Sequence, residues 1–448
     1  MKNLIAVIFF LLPVLLTYPQ EKPAIIVLTD TGGDTDDEQS MVRFLLYSDM
    51  LDVRAICITS RMGHGQDIKP EIVYNQIEAY RSVYPNLLLH SQGYPTPDYL
   101  LSIVKYGQGD HASFGKGYDT EASGYIIQVI DESDVTVHVA VWGGLRELAQ
   151  ALWKVKETRT QEQVDEFCRK ILVHDINDQD HHRDWITGNF PAIRFIANGY
   201  NKTGSIWGVR ELATFRGMYM TGDVSMQDGD WVRKNVHGHG PLSDTYQLHG
   251  HGTDGMKEGD TPTFLGLICN GLNAAERPDW GGWGGRYRIL RNNLYIDAPD
   301  FLNGKMNERH TVSRWRPAFQ NDFMARLKWC VEPYGKVNRN PVAAVNGMAE
   351  KSPIFINAAP GQELVFDASE SYDPDGDELS FNWFFYYEIY FPGCAVFTVS
   401  SDGSICTVKV PESTGDENLH LILEVTDNNS PSLTGYKRII INVTESNQ

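Results

Sequence analysis

The sequence is short of basic side chains: 39 Lys and Arg against 58 Asp and Glu leave its 448 residues with a formal net charge of −19. No Lys/Arg run interrupts the deficit, and a negative surface repels phosphate backbones, so nucleic acid is a poor partner. Cysteine is sparse as well. The six, Cys57, Cys168, Cys269, Cys330, Cys394 and Cys406, form no C-x-x-C pair, which disfavours a zinc ribbon or a thioredoxin-like centre. Cys394 and Cys406 could close a local loop in an oxidising compartment; the other four suit buried thiols at least as well as bridges. No G-x-S-x-G elbow and no Walker A loop occurs, and Gly107 to Ala112 fits G-x-G-x-x-A without a clear strand before it.

Long apolar runs are missing too, with one exception. Leu4 to Leu16 is unbroken, follows Met1-Lys2-Asn3, and is shorter than the ~20 residues of a membrane helix. Residues 1–20 are therefore expected to be a signal peptide, and the protein to be secreted or periplasmic. An Ala-x-Ala cleavage site is absent, which keeps an uncleaved anchor as the alternative. No integral membrane span is expected after signal removal.

What remains is long enough for two or three domains. Ala24 to Thr29 (AIIVLT) is strand-like, Glu38 to Tyr47 has helical periodicity, and Val53 to Thr59 is again strand-like. Further strands are expected at Asn86 to His90, Val135 to Trp142 and Lys170 to His174, with helices near Glu71 to Val83, Ser123 to Asp131 and Leu145 to Val155. This alternation predicts an α/β domain over residues 21–335, an open, mostly parallel sheet with helices on both faces. Ligands of such sheets bind outside the carboxyl ends of the strands. From residue 340 to 448 short alternating runs and turn clusters such as Asp373-Pro374-Asp375-Gly376-Asp377 predict a small all-β sandwich of immunoglobulin type. Residues 341–448 hold 16 acidic and 4 basic side chains, so most of the negative charge belongs to the sandwich. The Asp373 turn lacks the EF-hand pattern and suits a plain turn better than a weak calcium site.

The densest chemical signal follows the first strand: Asp30-Thr31-Gly32-Gly33-Asp34-Thr35-Asp36-Asp37-Glu38. Like charges crowded at a strand end destabilise the fold unless a cation compensates, and an oxygen-seeking ion such as calcium fits best. The plain alternative is an acidic helix N-cap. Glu258-Gly259-Asp260-Thr261-Pro262 is either a second cap or a further source of carboxylate ligands. The polar loop containing Asn177 and Asp178 lies at another strand end, where it could bind sugar hydroxyls or be only a loop. His237-Gly238-His239 and His249-Gly250-His251 lack the helix-borne spacing of zinc ligands, so zinc is disfavoured; His239 could equally donate a proton near a sugar. Asp279-Trp280-Gly281-Gly282-Trp283 could present indole faces to a sugar ring or bury them in a core.

TDTGGDTDDEQSMVRFLLYS resembles the N-terminal signature of the nucleoside hydrolases, D-x-D-P-G-x-D-D. Together with VWGGLRELAQALW, EGDTPTFLGLICNGLN and RPDWGGWGGRY it resembles more closely the nucleoside hydrolase-like domain of secreted bacterial proteins described as cellulose-binding, which end in an immunoglobulin-like domain with a DPDGD turn. The resemblance implies a calcium ion held by Asp30, Asp37, Asp260 and the backbone carbonyl of Arg146. It also implies Asp34 or Asp36 as catalytic base, and substrate contacts from Asn177, Asp178, His239, Glu258, Trp280 and Trp283. Gly32 stands where the signature has its second aspartate, with Asp34 two residues on. The expected function is hydrolysis of a glycosyl bond in a carbohydrate or nucleoside-type small molecule. The rival is a non-catalytic polysaccharide-binding protein on the same fold. Association into a homo-oligomer stays open.

Overall fold

The computed structural model describes residues 22–61, 64–200, 211–249, 254–390, 399–411 and 418–443. The expected signal peptide, Cys394 and His251 lie outside these residues. Among the described residues no helix is long and apolar enough to cross a membrane.

Eight strands form the main sheet: β1 (Ala24–Thr29), β2 (Asp52–Ile58), β3 (Val104–Tyr106), β4 (Val137–Val141), β5 (Ile171–Asp175), β6 (Arg194–Ala197), β7 (Tyr287–Arg291) and β8 (Leu294–Asp297). Their order is β3-β2-β1-β4-β5-β6-β8-β7, parallel except for the final β8-β7 pair. β1 and β4 are buried at every position, as their largely apolar runs require in a sheet covered on both faces; the exception in β4, His138, faces Glu276 at 3.4 Å. The helices supplying that cover include α1 (Thr35–Tyr47), α2 (Pro70–His90), α3 (Pro97–Ser102), α4 (Glu121–Glu132), α5 (Arg146–Thr158), α6 (Gln161–Arg169) and α7 (Arg183–Asn189). One apolar cluster joins α1 and α2 to Ile25 and Val27 of β1; the other packs α4, α5 and α6 on Ile26 and Leu28. Strand order runs β1 to β3 in one direction and β4 to β6 in the other. The switch point, where such sheets bind ligands, is therefore the gap between the carboxyl ends of β1 and β4.

The expected strand at Asn86 to His90 is instead the last part of α2. Val73, Ile77, Tyr80, Val83 and Leu87 bury one face at helical spacing, and that periodicity overrides the local apolar run Leu87-Leu88-Leu89.

The C-terminal part is a two-sheet sandwich. One sheet has the order Ile354–Ala358, Thr434–Val443, Leu419–Asp427, Leu379–Phe385; the other is Glu363–Asp367, Ile405–Lys409, Val399–Asp402. The sandwich is joined to the α/β part by a buried seam. Tyr386, Ile422 and Tyr436 share an apolar cluster with Trp283, Trp315 and Phe319. Arg438, fully buried, donates to the carbonyls of Leu272, Trp280 and Gly281 at 2.9, 3.1 and 2.8 Å. Buried carbonyls need donors, and one guanidinium supplies three of them.

Candidate active site

At the switch point the chain turns sharply out of β1. Gly33 donates its N–H to the Asp30 carbonyl at 3.1 Å, and the Thr29 hydroxyl donates to Asp37. Gly32 has φ +82°, and its N–H donates to Glu38 Oε1 at 2.9 Å. An aspartate there would adopt a left-handed conformation and push its Cβ to 2.9 Å from Lys69 Cγ, so the turn itself selects glycine. Across the gap, a Cβ on Gly143 would lie 2.7 Å from Asp30 Oδ1; only glycine lets the ends of β1 and β4 close on that carboxyl.

Asp36 and Asp37 in the first turn of α1 meet Asp260, which precedes the short helix Pro262–Leu265. Each offers a carboxylate oxygen within 4.8 Å of the others. Asp260 is 1% exposed, and neither of its oxygens has a hydrogen-bond partner. A buried carboxylate so placed is costly unless it is protonated or bound to a cation. Burial, reinforced by Asp36 and Glu38, pushes the Asp30 carboxyl up to about 7. Burial and the neighbouring carboxylates raise Asp37 and Asp260 well above the usual range. All-oxygen and multiply acidic, with the Asp260 carboxylate unpartnered, this donor set fits a hard divalent cation.

Lys257 is the one ammonium in the group. It pairs with Asp34 and lies 3.3 Å from Asp36 Oδ2. Burial opposes its charge, but Asp36 and Asp34 outweigh that and hold its pKa above the ordinary lysine value. Asp34 in turn accepts from the Thr35 N–H at 2.8 Å, and against its partial burial the bond and charge of Lys257 draw its pKa down.

The loop after β5 forms the opposite wall. Asn177, Asp178 and His181 have φ of +72°, +46° and +63°, a concentration of left-handed non-glycine residues that marks a constrained loop. It is tied down from beneath. Asp175 accepts from Arg183 Nε at 2.6 Å, Asp178 Oδ1 from the Arg183 N–H at 3.0 Å, and Gln179 donates to the Trp142 carbonyl at 2.6 Å. Between these walls lies a cleft of about 460 Å³ whose lining includes Asp30, Asp36, Asp37, Lys257, Asn177 and Asp178, with Trp142, Tyr200, Phe215 and Tyr219 among its aromatic residues.

Residues 24–287 match the family described as cellulose-binding Sde182, nucleoside hydrolase-like domain, and residues 363–443 match the cellulose-binding protein Sde0182 C-terminal domain. The chain belongs to this family. Among solved structures it is similar to a nucleoside hydrolase-related hypothetical protein from Saccharophagus degradans that is associated with carbohydrate metabolism. The two are 32% identical, with a TM-score of 0.81 over 95% of this chain and 100% of that one. Mouse clustered PcdhgC3 EC1-3 is 14% identical over 25% of this chain and 36% of its own, at a TM-score of 0.17. No curated protein matches the chain.

Within this Sde182-type fold the expected site residues separate into two groups. Asp30, Asp34, Asp36, Asp37, Asn177 and Asp178 line one cleft, and Asp260 stands beside Asp36 and Asp37. The others do not line it. Arg146, expected to lend its backbone carbonyl, opens α5; its N–H donates to Asp180 at 2.8 Å, and its buried guanidinium, spent on Glu147 and the carbonyls of Ser113 and Tyr118, leaves the carbonyl as the one group it could offer an ion. Glu258 is fully buried against Arg43 at 2.6 Å, with Tyr246 and Thr261 donating to it, so it anchors the site rather than touching substrate. His239 turns Nδ1 toward the Val236 carbonyl at 3.1 Å. Trp280 and Trp283 are 7% and 1% exposed and pack on His420 and Tyr436 of the sandwich, which excludes an exposed sugar platform.

Among the described residues the groups able to hold a metal contain aspartate alone, with no histidine. The Asp373 turn is closed by its own amides, and Asp375 pairs with Arg339. Lys257, Gln179, Arg183 and Trp142 were not singled out in the sequence. Lys257 had the one available signal, its position directly before Glu258-Gly259-Asp260.

Proposed function

We propose that the protein is an exported, calcium-dependent hydrolase of a glycosyl bond in a carbohydrate or nucleoside-type molecule. The observation that carries this reading is the buried, unpartnered carboxylate of Asp260 at the sheet's switch point, beside Asp36 and Asp37, which line a cleft of substrate size. Asp30, Asp36, Asp37 and Asp260 would hold the ion. Bound there, it would polarise a water and orient vicinal sugar hydroxyls. Asp36, raised by burial, accepts the water's proton better than Asp34, whose carboxylate is committed to Lys257. Asn177 and Asp178 hold sugar hydroxyls on a loop fixed by Arg183. Trp142 and Phe215 exclude water from one side.

The test joins metal content to turnover. The protein as isolated is analysed for bound calcium, then assayed on nucleosides and aryl glycofuranosides with and without chelator. Turnover that is lost on chelation and in Asp36→Asn supports the hydrolase. Calcium-dependent retention on a polysaccharide gel, with no turnover of either substrate class, overturns it in favour of carbohydrate binding without catalysis. Gly32 in place of an acid, and the pairing of Asp34 with Lys257, are what favour that second reading.

A further inference from the structure

Two glycines follow β4 at the switch point, and a carboxyl stands against each of them. Gly143 abuts Asp30, and Gly144 abuts Asp180 of the loop after β5. The backbone of Gly144 is not left-handed, yet a Cβ there would overlap the Asp180 carboxylate and lie 2.8 Å from its Cγ; all three of its nearest neighbours would be Asp180 atoms. Asp180 itself neither lines the cleft nor belongs to the acidic group. We infer that Asp180 is a positioning residue that seats the Gly143-Gly144 turn against Asp30 and joins this turn to the loop carrying Asn177 and Asp178. The inference rests on the reading of the acidic cluster as an ion site, and adds that ion and substrate loop are held in register by a residue touching neither.

Asp180 caps a helix whose own sequence leaves it uncapped. Leu145, at the cap position of α5, has no side-chain oxygen for the first amides of the helix, and Asp180 Oδ2 accepts from the Arg146 N–H at 2.8 Å from 34 residues away. A serine or aspartate at the cap position itself is the ordinary solution. Here the carboxylate is 4% exposed, and its Oδ1 has no partner. His182 Nε2, 4.0 Å from it, is turned to the His111 carbonyl at 2.7 Å. Burying an acid on these terms is costly for capping alone.

The same loop grips the other end of the turn. Gln179 donates to the Trp142 carbonyl at 2.6 Å, while the N–H groups of Trp142 and Gly143 donate to the carbonyl of Leu28, two residues before Asp30, at 2.8 and 3.4 Å. Contacts therefore run without a break from Asp30 through Gly143 and Gly144 to Asp180. From there the chain leads back to Asp178, whose N–H donates to Asp175 Oδ1 at 3.2 Å, and to Asn177. Released from Asp180, the turn is free to withdraw from Asp30 and the loop to shift with it. Two sites that share one support are coupled, so an ion that fixes the turn also fixes the loop.

Two substitutions loosen the contact from opposite sides: Asp180→Ala removes the acceptor, and Gly144→Ala drives a methyl group into the carboxylate. Hydrogen exchange reads the turn and the loop, and calorimetric titration of calcium reads the ion site, both on the full chain. Each variant should speed exchange of the Trp142, Gly143 and Asp178 amides and weaken calcium binding by about tenfold or more. Gly144→Ala should add little in the Asp180→Ala background, where most of its obstacle is gone. Asp180→Asn keeps an acceptor of the same shape and should restore most of the protection and of the affinity. Melting temperatures confirm folding, and if Asp180→Ala unfolds, Gly144→Ala and Asp180→Asn decide. A residue that only caps α5 would speed the Arg146 amide alone and leave the other three amides and calcium as in wild type, which overturns the inference. Asp180→Asn behaving as Asp180→Ala does would also overturn it, since charge rather than placement would then matter. A wild-type chain that binds no calcium sinks the ion reading, while the exchange pattern still decides what Asp180 does.

Discussion

Lys257 reaches into the acidic loop and places its ammonium 3.3 Å from Asp36 Oδ2, while pairing with Asp34. It therefore offsets part of the negative charge that a divalent cation would otherwise neutralise alone. An ammonium and a divalent cation about 5 Å apart repel by roughly 7 kcal/mol at an effective dielectric of 20, before solvent screening reduces it. Lys257→Met should accordingly tighten calcium binding by about tenfold or more. Calorimetric titration of calcium into both proteins measures this, and unchanged or weaker binding would show that the lysine does not oppose the ion.

Protonation supplies a second expectation. Asp30, Asp37 and Asp260 bind a proton more tightly in the folded chain than in the unfolded one. Groups of this kind stabilise fully below their unfolded pKa, and the contribution is lost as pH rises. For Asp30 the loss runs from about pH 4 to its folded value of about 7. As far as these groups govern it, chelator-treated protein should melt higher near about pH 5 than near about pH 8, and excess calcium should narrow the gap by favouring the ionised forms. Melting curves at both pH values, with EDTA and with calcium, check the sign. A gap of the same size in both would remove the acidic cluster as its cause.

The parts of this arrangement that local sequence specifies were legible, and the parts made by distant pairing were not. AIIVLT can bury only as a two-sided strand, and the aspartates after it sit where a parallel sheet binds ligands, so β1 and its loop followed from pattern alone. Lys257 meets Asp34 across 223 residues, and no spacing rule reaches that far. Trp280 and Trp283 were ambiguous for a different reason. A glycine-flanked indole has the same local sequence whether it covers a sugar or a second domain, and only the placement of Tyr436 and His420 decides between them.

Glu258 differs from its neighbour Asp260 in what its loss should do. Arg43 is buried against it and has its guanidinium 3.7 Å from the Phe323 ring centroid, so Glu258→Gln leaves a desolvated cation without its counter-ion. Breaking a buried pair this way costs about 3–5 kcal/mol. Urea denaturation should show that loss, with calcium affinity of the folded protein largely kept. Asp260→Asn should do the reverse, sparing or raising stability in chelator while weakening calcium. Equal stability losses in the two variants would contradict the division of roles.

Trp283 tests the seam. Its indole is 1% exposed, lies against Phe319 and Tyr436, and donates to the Tyr436 hydroxyl at 3.3 Å. Trp283→Ala opens a cavity there and should cost about 3–5 kcal/mol. Limited proteolysis should then cut first where the sandwich meets the α/β part. A variant as stable as wild type, but with weakened saccharide binding in the acidic cleft, would restore the platform reading.

Asn177 separates a conformational role from a contact role. Its φ of +72° is accessible to asparagine and easier for glycine, whereas alanine pays a left-handed penalty of about 1 kcal/mol. Asn177→Gly should thus hold or slightly raise the melting temperature, and Asn177→Ala should lower it. If the amide touches substrate, both variants lose the same polar group, and KM for whichever glycoside or nucleoside is turned over should rise about equally in the two despite their opposite stabilities. If Asn177 only shapes the loop, glycine keeps KM near wild type and alanine alone raises it. Measuring KM and melting temperature on the same two proteins therefore decides which of its two properties, the backbone it tolerates or the amide it carries, the cleft depends on.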